Sequence, residues 1–311
     1  MTGTSPRVIV IGGGLGGLTA ATLLARGGAR VTLVEKSPAL GGRARTQRRD
    51  EWAWNLGPHA LYLGGAAART LRELGIALPG GKPAVAGFAI RGGEKHTMPG
   101  GPVSLLTTRL FGLAEKLEVG TLLASLPKVD PAPLAGVSSA DWIAAHSSHE
   151  PVRDLLRGLF RLSTYGNAPE QSAGASLSQL QSALRYGVQY IDGGWQTLVD
   201  GLHQLAVAAG VTIVNDNRAL EVQHDGGVRA VRCTAAELPC DAVVVAAGPS
   251  DLLAVCPGVT GSHARLAHEA LPVRAACLDV ALATLPVPVA TFALGMDVPL
   301  YLSVHSAVAH V

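Results

Sequence analysis

Gly12, Gly14 and Gly17 stand in the spacing G-x-G-x-x-G directly after the apolar run 8–11, and Glu35 follows 18 positions after the third glycine. Those residue types at that spacing suit a dinucleotide. Gly12 makes the tight turn out of a strand, Gly14 has no Cβ and lets the backbone approach a pyrophosphate, and Gly17 lets a helix pack closely on a sheet. The helix N-terminus then turns its N–H groups and positive dipole end toward the phosphates. Glu35 can accept hydrogen bonds from a ribose hydroxyl and would repel a 2′-phosphate. The motif therefore predicts FAD or NAD rather than NADP, and Gly41-Gly42-Arg43 shortly afterwards favours FAD.

The elements that must hold these residues follow from the same stretch. Val8, Ile9, Val10 and Ile11 read as a buried parallel strand, 15–26 as a helix stopped by Gly27-Gly28, and 30–34 as a second buried strand ended by Glu35. Residues 8–25 are uncharged and long enough to mimic a membrane span, but glycines crowd the first half and would weaken a helix. A βαβ unit is the better reading.

Further motifs bring a family into view. Glu35-Lys36, then 40–45 (LGGRAR), then Leu56-Gly57-Pro58-His59 resemble the flavin-dependent amine oxidase superfamily, which includes phytoene desaturases, protoporphyrinogen oxidases, amine oxidases and the Rab GDP-dissociation inhibitors. Gly57-Pro58 is more similar to the desaturase and protoporphyrinogen oxidase branches. Residues 191–198 (IDGGWQTL), 241–249 (DAVVVAAGP) and 299–306 (PLYLSVHS) also resemble family segments.

The resemblance implies an α/β fold: a Rossmann-like FAD-binding domain with a discontinuous α+β substrate domain. It also implies roles. Gly12, Gly14, Leu15, Gly16 and Gly17 would hold the pyrophosphate through backbone N–H groups. Glu35, with Lys36 beside it, would take the adenosine ribose. Gly42 and Arg43 would meet the pyrophosphate or ribityl chain, Arg43 as a charge-assisted donor. Gly57, Pro58 and His59 would lie against the isoalloxazine ring, Ala219 at the adenine edge and Gly248 near the flavin phosphates. Relatives of this kind also carry a C-terminal glycine-containing strand and helix against the flavin. Residues up to Val311 hold no such segment, so a fragment or a short form with an open flavin wall is expected.

The remaining organisation is coarser. Residues 1–79 and 191–250 are expected to form the FAD-binding domain, and residues 80–190 with 251–311 the substrate domain. Helices are expected at 65–74, 104–126, 140–147, 152–164 and 195–209. Strand-like segments are expected at 84–91, 211–214 and 242–246, with a hairpin of 220–224 and 228–233 around Asp225-Gly226-Gly227. The apolar segment 275–295 contains Asp279, Pro286 and Pro288 and reads as two strands joined by a proline-rich turn, not a membrane span.

Composition narrows the function classes. The chain has 311 residues, 48% hydrophobic and 15% charged, with a net charge of +2, so nucleic acid is not an expected partner. Cys233, Cys240, Cys256 and Cys277 form no C-x-x-C pair and read as reduced and structural, which places the chain in the cytoplasm by default. His146, His149 and Glu150 have ligand-like spacing, but Pro151 breaks the helix and no third ligand cluster accompanies them, so no metal is expected. No residue is assigned as catalytic, because in flavin oxidation the ring takes the hydride or electrons. Tyr62, Tyr165, Arg185, Tyr186, Tyr190 and Trp195 are candidates for the substrate side. The expectation is a phytoene desaturase-like FAD-dependent oxidoreductase that takes an apolar, isoprenoid-type substrate, with peripheral membrane contact, and passes electrons to a quinone or oxygen. Protoporphyrinogen oxidase and amine oxidase types are the alternatives within that class. A non-catalytic binding protein of the same fold, in the manner of the Rab inhibitors, is the alternative outside it.

Overall fold

The computed structural model describes residues 5–84 and 87–311. Residues 7–34 form the expected unit: strand Arg7–Ile11, helix Leu15–Arg26 and strand Arg30–Val34. The two strands pair in parallel, Val8 opposite Val31 and Ile11 opposite Val34. Thr212–Val214 and Ala242–Val245 complete a four-stranded parallel sheet, adding to the second and first strands respectively. The first strand is buried from Val8 to Ile11, and its side chains alternate between two cores with period two. Val8 and Val10 face a core with Leu18, Ala21, Val31, Leu33, Leu198 and Leu202, while Ile9 and Ile11 face another with Val34, Val222, Val231 and Cys240. Both faces being covered explains the continuous β-branched run. Helix Gln196–Ala208 covers the first face beside Leu15–Arg26, and the antiparallel sheet Ala219–His224, Val228–Cys233 and Glu237–Pro239 covers the second.

A third core lies between helices and a third sheet. Helices Leu113–Ser125, Ser139–His146, Glu150–Thr164 and Ala173–Tyr186 bury Val119, Leu122, Trp142, Leu156, Phe160 and Leu177 with Ala89, Leu294 and Met296. The last three come from or beside the sheet Tyr301–Ser303, Phe292–Gly295, Phe88–Arg91 and Glu94–Thr97. Between the two regions, Val188–Ile191 pairs antiparallel with Leu61–Tyr62 on one side and Gly80–Gly81 on the other.

Several expectations need correction. The stretch 104–126 is two helices, Pro102–Thr107 and Leu113–Ser125. Gly112 restarts the chain, its N–H donating to Glu115 Oε2 at 2.6 Å, while Thr108 turns away to donate to the Thr97 carbonyl at 2.7 Å. The segment 275–295 is not two strands. Only Phe292–Gly295 is extended and paired, because Phe88–Arg91 offers it a parallel ladder and Tyr301–Ser303 an antiparallel one. Residues such as Leu278, 88% exposed, find nothing to pack on. Within the expected strand 84–91, residues 85 and 86 lie outside the described residues, and Phe88–Arg91 is extended. The hairpin Thr46–Arg49 with Trp52–Asn55, the helix Ala173–Tyr186 and the strand Val188–Ile191 had no sequence expectation. The hairpin holds the N-terminus of Gln196–Ala208: Trp195 N–H donates to Asn55 Oδ1 at 2.9 Å and Gln196 N–H to Thr46 Oγ1 at 3.0 Å. Gly194, at φ 78°, must be glycine there, since a Cβ would sit 2.5 Å from the Thr46 side chain.

Among the described residues, no helix is long and apolar enough to cross a membrane. Residues 8–25 are a strand, a glycine loop and a helix of 12 residues.

Candidate dinucleotide site

At the C-terminal ends of the parallel strands, four loops converge. The glycine loop leaves the first strand at Gly12, in the left-handed region at φ 106°, where a Cβ would meet the Ala246 carbonyl at 2.8 Å. Gly17 lies against the turn, and a Cβ there would fall 1.8 Å from the Gly12 carbonyl oxygen. Gly13, which the motif did not single out, is buried too; a Cβ on it would meet Leu40 at 2.5 Å. Gly14 differs. It caps the helix Leu15–Arg26, and a Cβ added to it meets nothing nearer than the Gly41 carbonyl at 3.8 Å; Gly16 meets nothing within 4 Å. The helix has no side-chain cap and no acidic residue in its first turn, so the N–H groups of Leu15, Gly16 and Gly17 face outward as donors. A negative group is the natural partner of such an end.

Glu35 is buried at the end of the second strand, 7% exposed. Its Oε2 accepts the Gly13 N–H at 2.7 Å and its Oε1 the Ser37 N–H at 2.8 Å. Each carboxylate oxygen keeps a further lone pair for a hydroxyl. The backbone around it is tied on both sides: Glu35 N–H donates to the Val214 carbonyl at 2.9 Å, and Asn217 N–H to the Glu35 carbonyl at 3.0 Å. Buried Asn217 was not foreseen; its Oδ1 accepts the Thr234 hydroxyl and the Ala235 N–H, both at 3.1 Å. It brings Ala219, two residues on and opposite Cys233, to the Glu35 side. Lys36 is exposed and 3.7 Å from Asp251, and Gly248 begins the short helix Pro249–Val255 with its N–H 3.2 Å from Asp251 Oδ2.

The third loop joins the first directly. Gly41 N–H donates to the Gly13 carbonyl at 2.8 Å, and a Cβ on Gly42, at φ 53°, would lie 3.7 Å from Gly14 Cα. Arg43 is exposed, and among the described residues no hydrogen bond or ion pair holds its guanidinium. Gly57 packs on the same backbone: a Cβ there would fall 2.0 Å from the Arg43 carbonyl. The structure thus brings Gly12, Gly14, Leu15, Gly16, Gly17, Glu35, Gly42, Arg43, Gly57 and Pro58 to one end of the sheet, with Ala219, Lys36 and Gly248 around its rim.

His59 continues into a wall of aromatic and imidazole groups. Its Nδ1 is 3.0 Å from Nδ1 of His305, with ring centroids 4.3 Å apart. Burial lowers the proton affinity of His59, and burial together with His59 lowers the His305 pKa to about 4, so both rings are neutral near pH 7. Tyr190 stands edge-on to His305 at 4.5 Å. Its hydroxyl lies 3.0 Å from that of Tyr301 and 2.7 Å from Ser303 Oγ. Burial first, and neighbouring Tyr190 second, push the Tyr165 phenol up to about 12. Tyr62 donates to the Ser163 carbonyl at 2.8 Å.

Three other substrate-side candidates are elsewhere. Trp195 is part of the core with Leu18 and Val199, Tyr186 is exposed and packs over Gly64, and Arg185 stacks on Tyr186 at 5.1 Å. The histidines with metal-like spacing are committed as well: His146 stacks on Trp142 at 4.4 Å, and His149 Nδ1 pairs with Glu118. Among the described residues, no group of three ligands gathers.

A parallel sheet carrying a glycine-rich turn, an unpartnered helix N-terminus and an acidic residue ending the next strand defines a dinucleotide-binding α/β protein. The family model "Flavin containing amine oxidoreductase" matches residues 15–274. The chain belongs to that family. It is 28% identical over 297 aligned positions to a hydroxyneurosporene desaturase of Cereibacter sphaeroides, covering 81% of this chain and 58% of the relative. An L-amino-acid oxidase of Sistrurus catenatus edwardsii is 47% identical over 60 residues, 19% of this chain and 12% of that protein. The chain therefore matches only part of the length of these relatives. A crystal structure of an oxidoreductase from Methanosarcina mazei has the same fold, with a TM-score of 0.70 at 18% identity, covering 85% of this chain and 65% of that one.

Proposed function

We propose that this chain binds FAD and serves as the flavin-binding part of an oxidoreductase acting on an apolar small molecule. The carrying observation is the contrast inside the glycine loop. The protein itself demands glycine at 12, 13 and 17, where a Cβ would strike backbone or a buried side chain. At Gly14 the protein demands nothing, yet the site has an unpartnered helix end on one side and Glu35 on the other. A pyrophosphate against Gly14 and the N–H groups of 15–17, with an adenosine ribose on Glu35, accounts for that space. Arg43 supplies a cation to the phosphates, Lys36, Ala219 and Gly248 border the adenosine and phosphate portions, and Gly57, Pro58 and His59 border the flavin ring. Bound FAD would supply the electron-accepting ring. The protein's share is to bind it, orient it and keep water away.

A division of labour follows from the same reading. Residues 1–79 with 191–250 would form the FAD-binding domain and residues 80–190 with 251–311 the substrate domain. The buried cluster that joins Leu33 and Leu198, and the one that joins Ala89, Leu177 and Leu294, support it. The desaturase likeness and the low charge favour an isoprenoid-type substrate, a quinone or oxygen as final acceptor, and a peripheral approach to a membrane. The test is the visible absorption spectrum of the purified chain with and without added FAD. A stoichiometric flavin band that Gly14→Val abolishes, in a variant with an unchanged circular dichroism spectrum, supports the site. Normal flavin content in that folded variant would remove it.

A further inference from the structure

The aromatic wall beyond His59 is costly for a site meant to hold a pure hydrocarbon. Tyr190, Tyr301 and Ser303 bring three hydroxyl groups within 3.0 Å of one another in sequence, Tyr190 in the middle. Two mutual hydrogen bonds use two of their three protons, leaving one donor and several lone pairs without protein partners. The histidine pair leaves another polar atom over. Two neutral rings share one proton across the Nδ1–Nδ1 contact. If His59 donates, the remaining His305 proton is on Nε2; if His305 donates, its Nε2 is a bare acceptor. In both cases that Nε2 is buried and without a partner. Tyr190 is buried while Tyr301 and Ser303 keep part of their surface open, and buried groups such as the Tyr190 hydroxyl and His305 Nε2 are ordinarily satisfied by the protein or by what it binds.

The hydroxyl cluster also touches a cavity. Ser303 lines a space of about 220 Å³ whose other walls include Pro83, Phe292, Val304 and Val308. That is smaller than the roughly 300–1,000 Å³ of a small-molecule pocket, so it fits one end of a ligand. Its walls are mainly apolar, and Ser303 is the point where they meet the hydroxyl cluster.

We propose that the ligand of this wall is a mainly apolar molecule carrying a hydroxyl, with that oxygen placed at Tyr190, Tyr301 and Ser303 and the adjoining carbon chain in the cavity beside Ser303. The proposal rests on the flavin reading only for calling this ligand the substrate; the binding site itself requires no flavin. A hydroxyl is amphoteric, as the cluster is, so it satisfies whichever donors and acceptors are left over. An alkyl end would bury them unpaired, and a site built to hydrogen-bond an OH discriminates strongly against the analogue lacking it.

The experiment is equilibrium dialysis of the full chain, without FAD, against radiolabelled farnesol and its hydrocarbon counterpart farnesene. The expected result is an approximately tenfold preference for farnesol, equivalent to one extra satisfied polar group. Tyr190→Phe keeps the ring and removes the hydroxyl, so it should bring farnesol close to the farnesene value and leave farnesene unchanged. Ser303→Ala should do the same, and it carries the test if the buried Tyr190 variant fails to fold. Equal affinity for the two probes, no farnesol binding, or a preference that survives in both variants overturns the proposal. The flavin spectrum is a separate measurement. Farnesol discrimination in a protein that ignores FAD defeats the flavin reading alone, and flavin binding without discrimination defeats this one alone.

Discussion

The glycine loop and the histidine–tyrosine wall make their surfaces by opposite means. In the loop, side chains are withdrawn and backbone N–H groups face the ligand space, all within residues 12–17. In the wall, side chains from 59, 62, 165, 190, 301, 303 and 305 meet, and hydroxyl and imidazole groups face one another. A loop of the first kind is positioned by one strand and one helix. A wall of the second kind exists only when the helical segment, the central strand Val188–Ile191 and the hairpin of Phe292–Gly295 with Tyr301–Ser303 are all in place. The loop should therefore tolerate damage to the wall, while the wall depends on most of the chain.

The sharpest way to break that contrast is within the loop. Gly17→Ala places a Cβ 1.8 Å from the Gly12 carbonyl and should destabilise the fold by about 3 kcal/mol or more, as forced overpacking against backbone does. Thermal denaturation measures it. A Gly17→Ala protein as stable as wild type would show that helix and turn can separate, and the close-packing account would fail. Glu35→Ala is next. It leaves the buried Gly13 N–H without its 2.7 Å acceptor and should cost about 2 kcal/mol besides weakening FAD at least tenfold, read by flavin titration. Stability lost with FAD affinity intact would make Glu35 a purely structural residue.

The wall is tested by pH. His59 and His305 have their proton affinity lowered by burial, His305 to about 4. The unfolded chain therefore binds protons that the native state refuses, so the stability contributed by the neutral pair is complete above the ordinary histidine pKa and is lost as pH falls toward 4. The expected loss is about 2 kcal/mol over that window, measured by urea denaturation, and His305→Gln should flatten the slope. An identical slope in that variant would place the titration on other groups. Tyr62→Phe removes one hydrogen bond to the Ser163 carbonyl and should cost about 1 kcal/mol with no effect on flavin content.

The unequal construction also explains what could be read in advance. The strand Arg7–Ile11, the glycine turn and Glu35 are local in sequence, and period and spacing suffice to read them. Gly13 escaped because its constraint is the Leu40 and Glu35 side chains, which lie outside the motif spacing. His59 and His305 are 246 positions apart, and no periodicity links them. Tyr190 was a candidate and Tyr301 was not, although each is partnered by the other; Trp195 was a candidate and is core. Aromatic residue type alone does not distinguish a wall from a core, because tertiary packing decides which face closes. The segment 275–295 misled for the same reason: apolar content suggested strands, but a strand needs a ladder partner, and only Phe292–Gly295 has one.

The smallest effect separates the rim of the loop from its floor. Lys36 and Asp251 lie 3.7 Å apart with about half of each side chain exposed. Such a pair is screened by water and contributes at most about 0.5 kcal/mol. Lys36→Met should therefore leave the melting temperature within about 1 °C of wild type and change FAD affinity no more than about twofold. Arg43, exposed and without a partner among the described residues, is the useful control, since Arg43→Met should weaken FAD severalfold with equally little effect on stability. If the lysine variant loses as much flavin as the arginine variant, then Lys36 leaves Asp251 for the phosphates on binding, and the rim rearranges as the floor fills. If only the arginine variant loses flavin, the rim is fixed and the loop binds through backbone, Glu35 and Arg43 alone.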